Sequence, residues 1–104
     1  MEVLSDMGLF QKKVDTKIFD ENIIDTISYS MYTAAYCSSS PLDKKIQKKA
    51  LSLYGILKNR KKMTLKDVED GLEVMDALYA AQIGAGDKAN AKYYLEKIRD
   101  YLQK

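Results

Sequence analysis

Four helix-start signals divide the chain, and their spacing limits what it can fold into. Asp20, Ser40, Thr64 and Asp87 each precede a stretch with helical periodicity, at intervals of 20, 24 and 23 residues. A short polar side chain at such a position accepts the unpaired N–H groups of a helix's first turn. The intervals hold helices of about 15–19 residues joined by short turns, and short turns favour antiparallel neighbours. No Asn-Gly or Asp-Gly hairpin turn competes, and β-branched residues never alternate with polar ones for long. The expected fold is all-α, a single-domain antiparallel bundle of four main helices spanning 20–104. Ahead of it lies an N-terminal segment, 1–19, in which Val3, Leu4, Met7 and Phe10 suit a strap or a short helix.

Each start carries a local motif. Phe19 and Ile24 flank Asp20 with the spacing of a hydrophobic staple. Ile23, Ile27, Met31 and Ala34, widened by Ile24 and Ala35, then form the inner face of the first helix, which runs to about Cys37. Ser40 reads as a cap with Pro41 at the first helical position and Asp43 at the reciprocal third. The second helix follows with Leu42, Ile46, Ala50, Leu53 and Leu57 inward, Tyr54 beside them, and an end near Asn59. Gly55 inside it costs roughly 1 kcal/mol against Ala and suits a close crossing by a neighbour. Thr64 and Asp67 form a capping box, with Met63 and Val68 as its staple. Leu65, Val68, Leu72, Met75, Tyr79 and Ile83 are the expected inner face of the third helix, and Gly84 its left-handed stop. Ala91, Leu95, Ile98 and Leu102 make the seam of the last helix, with Tyr94 and Tyr101 flanking it and Tyr93 pointing away.

Composition excludes more than it suggests. The chain has no His, one Cys and no glycine-rich phosphate loop, so a triad, a Cys pair and a His-bearing metal site are all lacking. Cys37 lies near a helix C-terminus, where the dipole disfavours a thiolate. The spacing of Asp70, Glu73 and Asp76 drifts round the helix and makes a poor metal site. We expect no enzyme, no cofactor and no metal. A lone Cys, an acidic start with no basic residue before Lys12, and no apolar run near the ~18 residues of a membrane span together suggest a soluble, cytoplasmic protein.

The formal net charge is only +2, but it is strongly segregated. Residues 1–41 carry −3, 42–66 carry +8, 67–87 carry −6 and 88–104 carry +3. The basic block comprises Lys44, Lys45, Lys48, Lys49, Lys58, Arg60, Lys61, Lys62 and Lys66. In one reading it pairs internally with Glu69, Asp70, Glu73 and Asp76 of the third helix and helps set which helices meet. In another it faces outward and contacts phosphates without sequence preference, since Arg, the usual reader of guanine, is scarce. The acidic helix has its own outward reading, as a docking face for a basic partner or for the basic block of a second copy.

Tyrosine is the other unusual feature, with eight against two Phe. Tyr29, Tyr32 and Tyr36 fall on a stripe distinct from the isoleucine face of the first helix. Such a stripe is either an amphipathic core edge or a protein-binding patch.

The expected function is protein–protein binding, with self-association into a homodimer as one form. The surfaces are Tyr29, Tyr32 and Tyr36 with the acidic residues of the third helix. The alternative is non-specific nucleic-acid binding through the basic block. Two resemblances are architectural. The last hairpin, Met75 to Leu95, is similar to one tetratricopeptide unit at Leu78, Gly86, Asp87 and Ala91, but Tyr79 and Leu95 depart from that pattern, and one partial match is a generic helical hairpin. In size, lysine content and expected four-helix architecture the chain resembles the small cytoplasmic bacteriocin-immunity proteins, without a shared motif. That resemblance implies an immunity-like role or another origin on a mobile element.

Overall fold

A computed structural model describes residues 12–36 and 42–104. Four helices form the bundle: α1 (Glu21–Tyr36), α2 (Lys44–Lys58), α3 (Leu65–Ala80) and α4 (Lys88–Gln103). Each packs on its neighbour in sequence, and α4 returns to α1, so the four close around one core. Neighbours run antiparallel. Asp25 near the start of α1 lies with Lys58 at the end of α2, while Ala35 lies with Lys44. Asp76 of α3 likewise meets Lys92 of α4, and Ile23 of α1 lies with Tyr101 of α4. The all-α bundle read from cap spacing is the observed fold.

Three of the four caps act where expected. Asp20 accepts from Asn22 N–H at 3.2 Å and Asp87 from Asn90 N–H at 3.1 Å. The Thr64–Asp67 capping box is reciprocal, with Asp67 N–H donating to Thr64 Oγ1 at 3.2 Å and Thr64 N–H to Asp67 Oδ2 at 2.9 Å. The second start is corrected. Ser40 and Pro41, like Cys37, lie outside the described residues, and α2 begins at Lys44 with Asp43 as its N-cap rather than its third residue. Asp43 Oδ1 accepts from Ile46 N–H at 2.9 Å. Ser and Asp cap about equally well, and a carboxylate also suits the positive end of the helix dipole, so the later of two competing caps wins.

A short strand pair, unexpected from the sequence, closes one end of the bundle. β1 (Lys13–Asp15) pairs antiparallel with β2 (Lys62–Thr64), Val14 opposite Met63. Both central residues are buried. Three residues are too few for alternation to register as a pattern. After β1 the chain makes a 3₁₀ turn, Thr16–Ile18, and enters α1.

The helix stops differ from expectation too. Gly84 is not the left-handed residue after α3; Gln82 is, with φ 56°. Gln82 N–H donates to Tyr79 O and Ile83 N–H to Leu78 O, the paired bonds of a Schellman stop. Arg60, φ 51°, ends α2 in the same way, with Arg60 N–H on Leu57 O and Lys61 N–H on Ile56 O.

The inner face of α3 is rotated from its expected position. Val68, Gly71, Val74, Met75 and Leu78 are buried, Leu65 and Leu72 only partly, and Tyr79 is 42% exposed. The cause is Gly71. A Cβ there would lie 2.6 Å from Leu53 Cδ2 and 3.3 Å from both Leu95 methyls, so α2 and α4 both press against α3 at this point. A hydrophobicity pattern assigns glycine no weight and misses the rotation. Among the described residues the close crossing expected at Gly55 is here instead, since a Cβ at Gly55 would meet none of them within 4 Å. On α1, Ile24 is more buried than Ile23, and two polar residues, Ser28 and Ser30, are buried as well.

The two helical glycines should respond oppositely in urea unfolding. Gly55→Ala should stabilise the protein by about 0.5–1 kcal/mol, because the helix gains propensity and no neighbour is displaced. Gly71→Val should cost about 2–3 kcal/mol through overpacking against Leu53 and Leu95.

Candidate functional site

The basic block divides into an inward and an outward set. Lys49 Nζ lies 2.6 Å from Glu73 Oε1 and 3.6 Å from Asp70 Oδ1, which joins α2 to α3. Lys66 reaches Asp70 at 3.2 Å along its own helix. Arg60 is engaged at the base of the bundle. Its guanidinium donates to Thr16 O at 2.5 Å and Phe19 O at 3.4 Å, and meets Glu21 Oε1 at 3.0 Å. Lys44, Lys45, Lys48, Lys58, Lys61 and Lys62 are exposed and have no ion pair among the described residues.

The acidic residues of α3 are more fully engaged. Asp70 and Glu73 hold Lys49, and Asp76 lies 3.6 Å from Lys92 of α4. Glu69 is exposed without an ion pair among the described residues. Tyr79 beside them carries Lys88 and Lys92 over its ring, at 4.7 and 5.7 Å from the centroid. The outer side of α3 is therefore largely neutralised from within the chain, and net positive charge stands on α2.

The tyrosine stripe of α1 faces outward. Tyr29, Tyr32 and Tyr36 are 62%, 50% and 56% exposed. Tyr32 packs on Tyr36 with ring centroids 4.9 Å apart and on Tyr54 of α2 at 5.4 Å. Tyr29 rests against Gly86 in the α3–α4 turn. A Cβ on Gly86 would lie 3.0 Å from the Tyr29 ring, and φ is +71° there, so two constraints require glycine. Buried Ser30 ties the same turn to α1 by donating to Ala85 O at 2.8 Å.

Two shallow depressions follow the outer seam between α1 and α2. The larger, about 310 Å³, is lined by Asp25, Ser28, Tyr29, Tyr32, Tyr54 and Lys58. The smaller, about 200 Å³, is lined by Ala35, Lys44, Gln47, Lys48 and Leu51. The tyrosines of α1 and the free lysines of α2, separate features in the sequence, thus share one face. Exposed Leu51 adds apolar surface, and Ser28, only 5% exposed, has a hydroxyl without a hydrogen-bond partner among the described residues. Sequence reasoning singled out neither Leu51 nor Ser28. Leu51 was detectable on the helical wheel, turned away from Ala50 and Leu53, whereas the Ser28 hydroxyl only stands out once the fold buries it. A separate apolar groove of about 200 Å³ lies between Ile18, Phe19 and Ile23 and the Tyr94 to Tyr101 stretch of α4, with Lys97 as its one charged lining residue. Among the described residues no helix is long and apolar enough to cross a membrane.

The hydrogen bond to Glu73 raises the Lys49 pKa above the ordinary lysine range; partial burial opposes the shift, and the charges of Asp70 and Glu73 add to it. A raised cationic pKa stabilises the fold below the ordinary lysine range and loses that effect as pH climbs through the raised value. The stability difference between wild type and Lys49→Met should therefore be present at neutral pH and vanish in strong alkali, as followed by urea midpoints. At the base, Arg60→Ala should cost roughly 1.5–3 kcal/mol from lost charge-assisted hydrogen bonds. Arg60→Gly should cost less than Arg60→Ala, because glycine relieves the left-handed backbone while losing the same bonds. Comparison of this chain with protein-family models, with curated proteins and with solved structures finds no match.

Proposed function

We propose that this is a non-enzymatic, cytoplasmic protein that works by binding another protein through the outer face of the α1–α2 hairpin. One observation carries the reading: exposed Tyr29, Tyr32 and Tyr36, with Tyr32 packed on both Tyr36 and Tyr54, an exposed leucine and three lysines with no ion pair among the described residues share that face. Tyrosine offers a large amphipathic contact at low entropic cost and is enriched where binding energy concentrates. Rings already held against one another lose little further freedom on binding.

Self-association through this face is disfavoured. A two-fold contact would bring Lys44, Lys48 and Lys58 of both copies into one interface, and like charges gathered across an interface are costly. Immunity to a bacteriocin is one form that binding to another protein takes. A bacteriocin gene beside this one, and protection of a sensitive host, would identify that form.

Single-stranded nucleic acid is the second reading. The same face combines stacking surfaces with unpaired lysines, and stacking on aromatics with backbone neutralisation needs no sequence readout. Against it, Arg is absent from the face and Asp25 lines its larger depression.

The test is a selection of random-library peptides on the immobilised protein, followed by nuclear magnetic resonance titration of the labelled chain. Selected peptides should shift the amides of Tyr29, Tyr32, Tyr36, Leu51 and Tyr54, and Tyr32→Ala with Leu51→Ala should weaken them by about tenfold or more, about 1.4 kcal/mol. Binders that map elsewhere, or none at all, would reject the reading. Tight binding of polythymidine on the same amides, falling steeply with salt, would replace it with the nucleic-acid alternative.

A further inference from the structure

We infer that the segment bound is an acidic amphipathic α-helix laid along the α1–α2 seam, an inference that rests on the docking reading above. The shape of the seam is the first ground. It runs parallel to the two helix axes from Asp25 and Lys58 at one end to Ala35 and Lys44 at the other. On α2 it is lined by Lys44 and Lys48 and by Gln47, Leu51, Tyr54 and Lys58, the last four at i, i+4, i+7 and i+11. A partner helix carries apolar anchors at that same period and meets the seam as a further helix meets a bundle.

Gly55 is the second ground. It sits on the outward side of α2 between Leu51 and Lys58, in a helix interior where glycine is unfavourable. Its φ is not in the left-handed region, and a Cβ would meet nothing within 4 Å among the described residues. Neither backbone geometry nor packing among the described residues requires its small size. Close approach of a neighbour's backbone does require it. A flexible phosphate chain would use the lysines but has no need of a gap at Gly55.

Charge and an orphaned hydroxyl complete the argument. Lys44, Lys48 and Lys58 border the seam without an acidic partner among the described residues, whereas Lys49, one residue from Lys48, is neutralised by α3. Asp25 offsets Lys58 at one end of the seam, so its net positive charge stands at the Lys44–Lys48 end and selects for carboxylates on the part of the incoming helix that lies there. Ser28 lines the larger depression, nine-tenths buried and without a hydrogen-bond partner among the described residues. A polar group of the partner seated there supplies what the hydroxyl lacks.

The test uses the full chain and four fluorescent probes: a peptide with Leu at i, i+4, i+7 and i+11 and Glu on its flanks, the same peptide with Lys for Glu, a scrambled peptide of the acidic composition, and polythymidine. The acidic amphipathic peptide should bind, gain helicity on binding, and bind about tenfold or more weakly to Lys44→Glu/Lys48→Glu. Gly55→Met, which leaves the fold at least as stable in urea, should abolish binding. Equal binding of the scrambled peptide, or full binding to Gly55→Met, overturns the helical geometry. Preference for the basic peptide or for polythymidine overturns the acidic partner. If library-selected peptides map to the seam while the acidic peptide does not bind, the inference fails and the docking reading stands. If nothing maps to the seam, both fail.

Discussion

At Arg60 the chain reverses with a left-handed backbone, and much of the lower bundle depends on that reversal. The Schellman stop closes α2 and sends the chain directly into β2. β2 then pairs with β1, burying Val14 opposite Met63. The arginine side chain turns back to hold the carbonyls of Thr16 and Phe19 and the carboxylate of Glu21, and buried Thr16 donates to Lys61 O at 2.7 Å. One residue thus stops a helix, starts a strand and fastens the segment that leads into α1. Left-handed backbone is unfavourable for a side chain of this size, so these bonds have to offset it. Arg60 also shows why a basic residue in a basic block need not be a surface ligand.

The upper part of the bundle is organised by two close approaches. Gly71 lets α2 and α4 approach α3, which rotates the buried face toward Leu78 and turns Tyr79 out under Lys88 and Lys92. Gly86 lets Tyr29 settle on the α3–α4 turn, while Ser30 bonds the carbonyl beside it. These contacts position α1 so that its tyrosines lie beside the outer residues of α2. The charge pattern follows the same geometry. Lys49 reaches the acids of α3, while Lys44, Lys48 and Lys58 lie on the other side of α2 with no ion pair among the described residues.

Much of the fold was legible in the chain. The caps at Asp20, Thr64 and Asp87 act over three residues, so a local motif suffices to find them. The second start was misread because Ser40 and Asp43 offer equivalent local chemistry three residues apart. Gln82 and Arg60 were missed as helix stops because only neighbouring bonds make a left-handed side-chain residue acceptable. The strand pair joins segments nearly 50 positions apart and is too short to leave a pattern. Of the candidate site, the tyrosine stripe and the lysine block were each visible, but not their shared face, nor the roles of Leu51 and Ser28.

The sequence by itself determined the number, length and polarity of the helices, because periodicity and capping depend on residues within one or two turns. It also determined that positive and negative charge would be concentrated on different helices. Only the tertiary structure decided which of those charges are neutralised, since an ion pair such as Lys49–Glu73 depends on how two helices rotate against one another. The same rotation set the tyrosines of α1 beside the unpaired lysines of α2. Rotation is governed by close approach at positions such as Gly71, where the decisive feature is the absence of a side chain, and periodicity cannot register an absence.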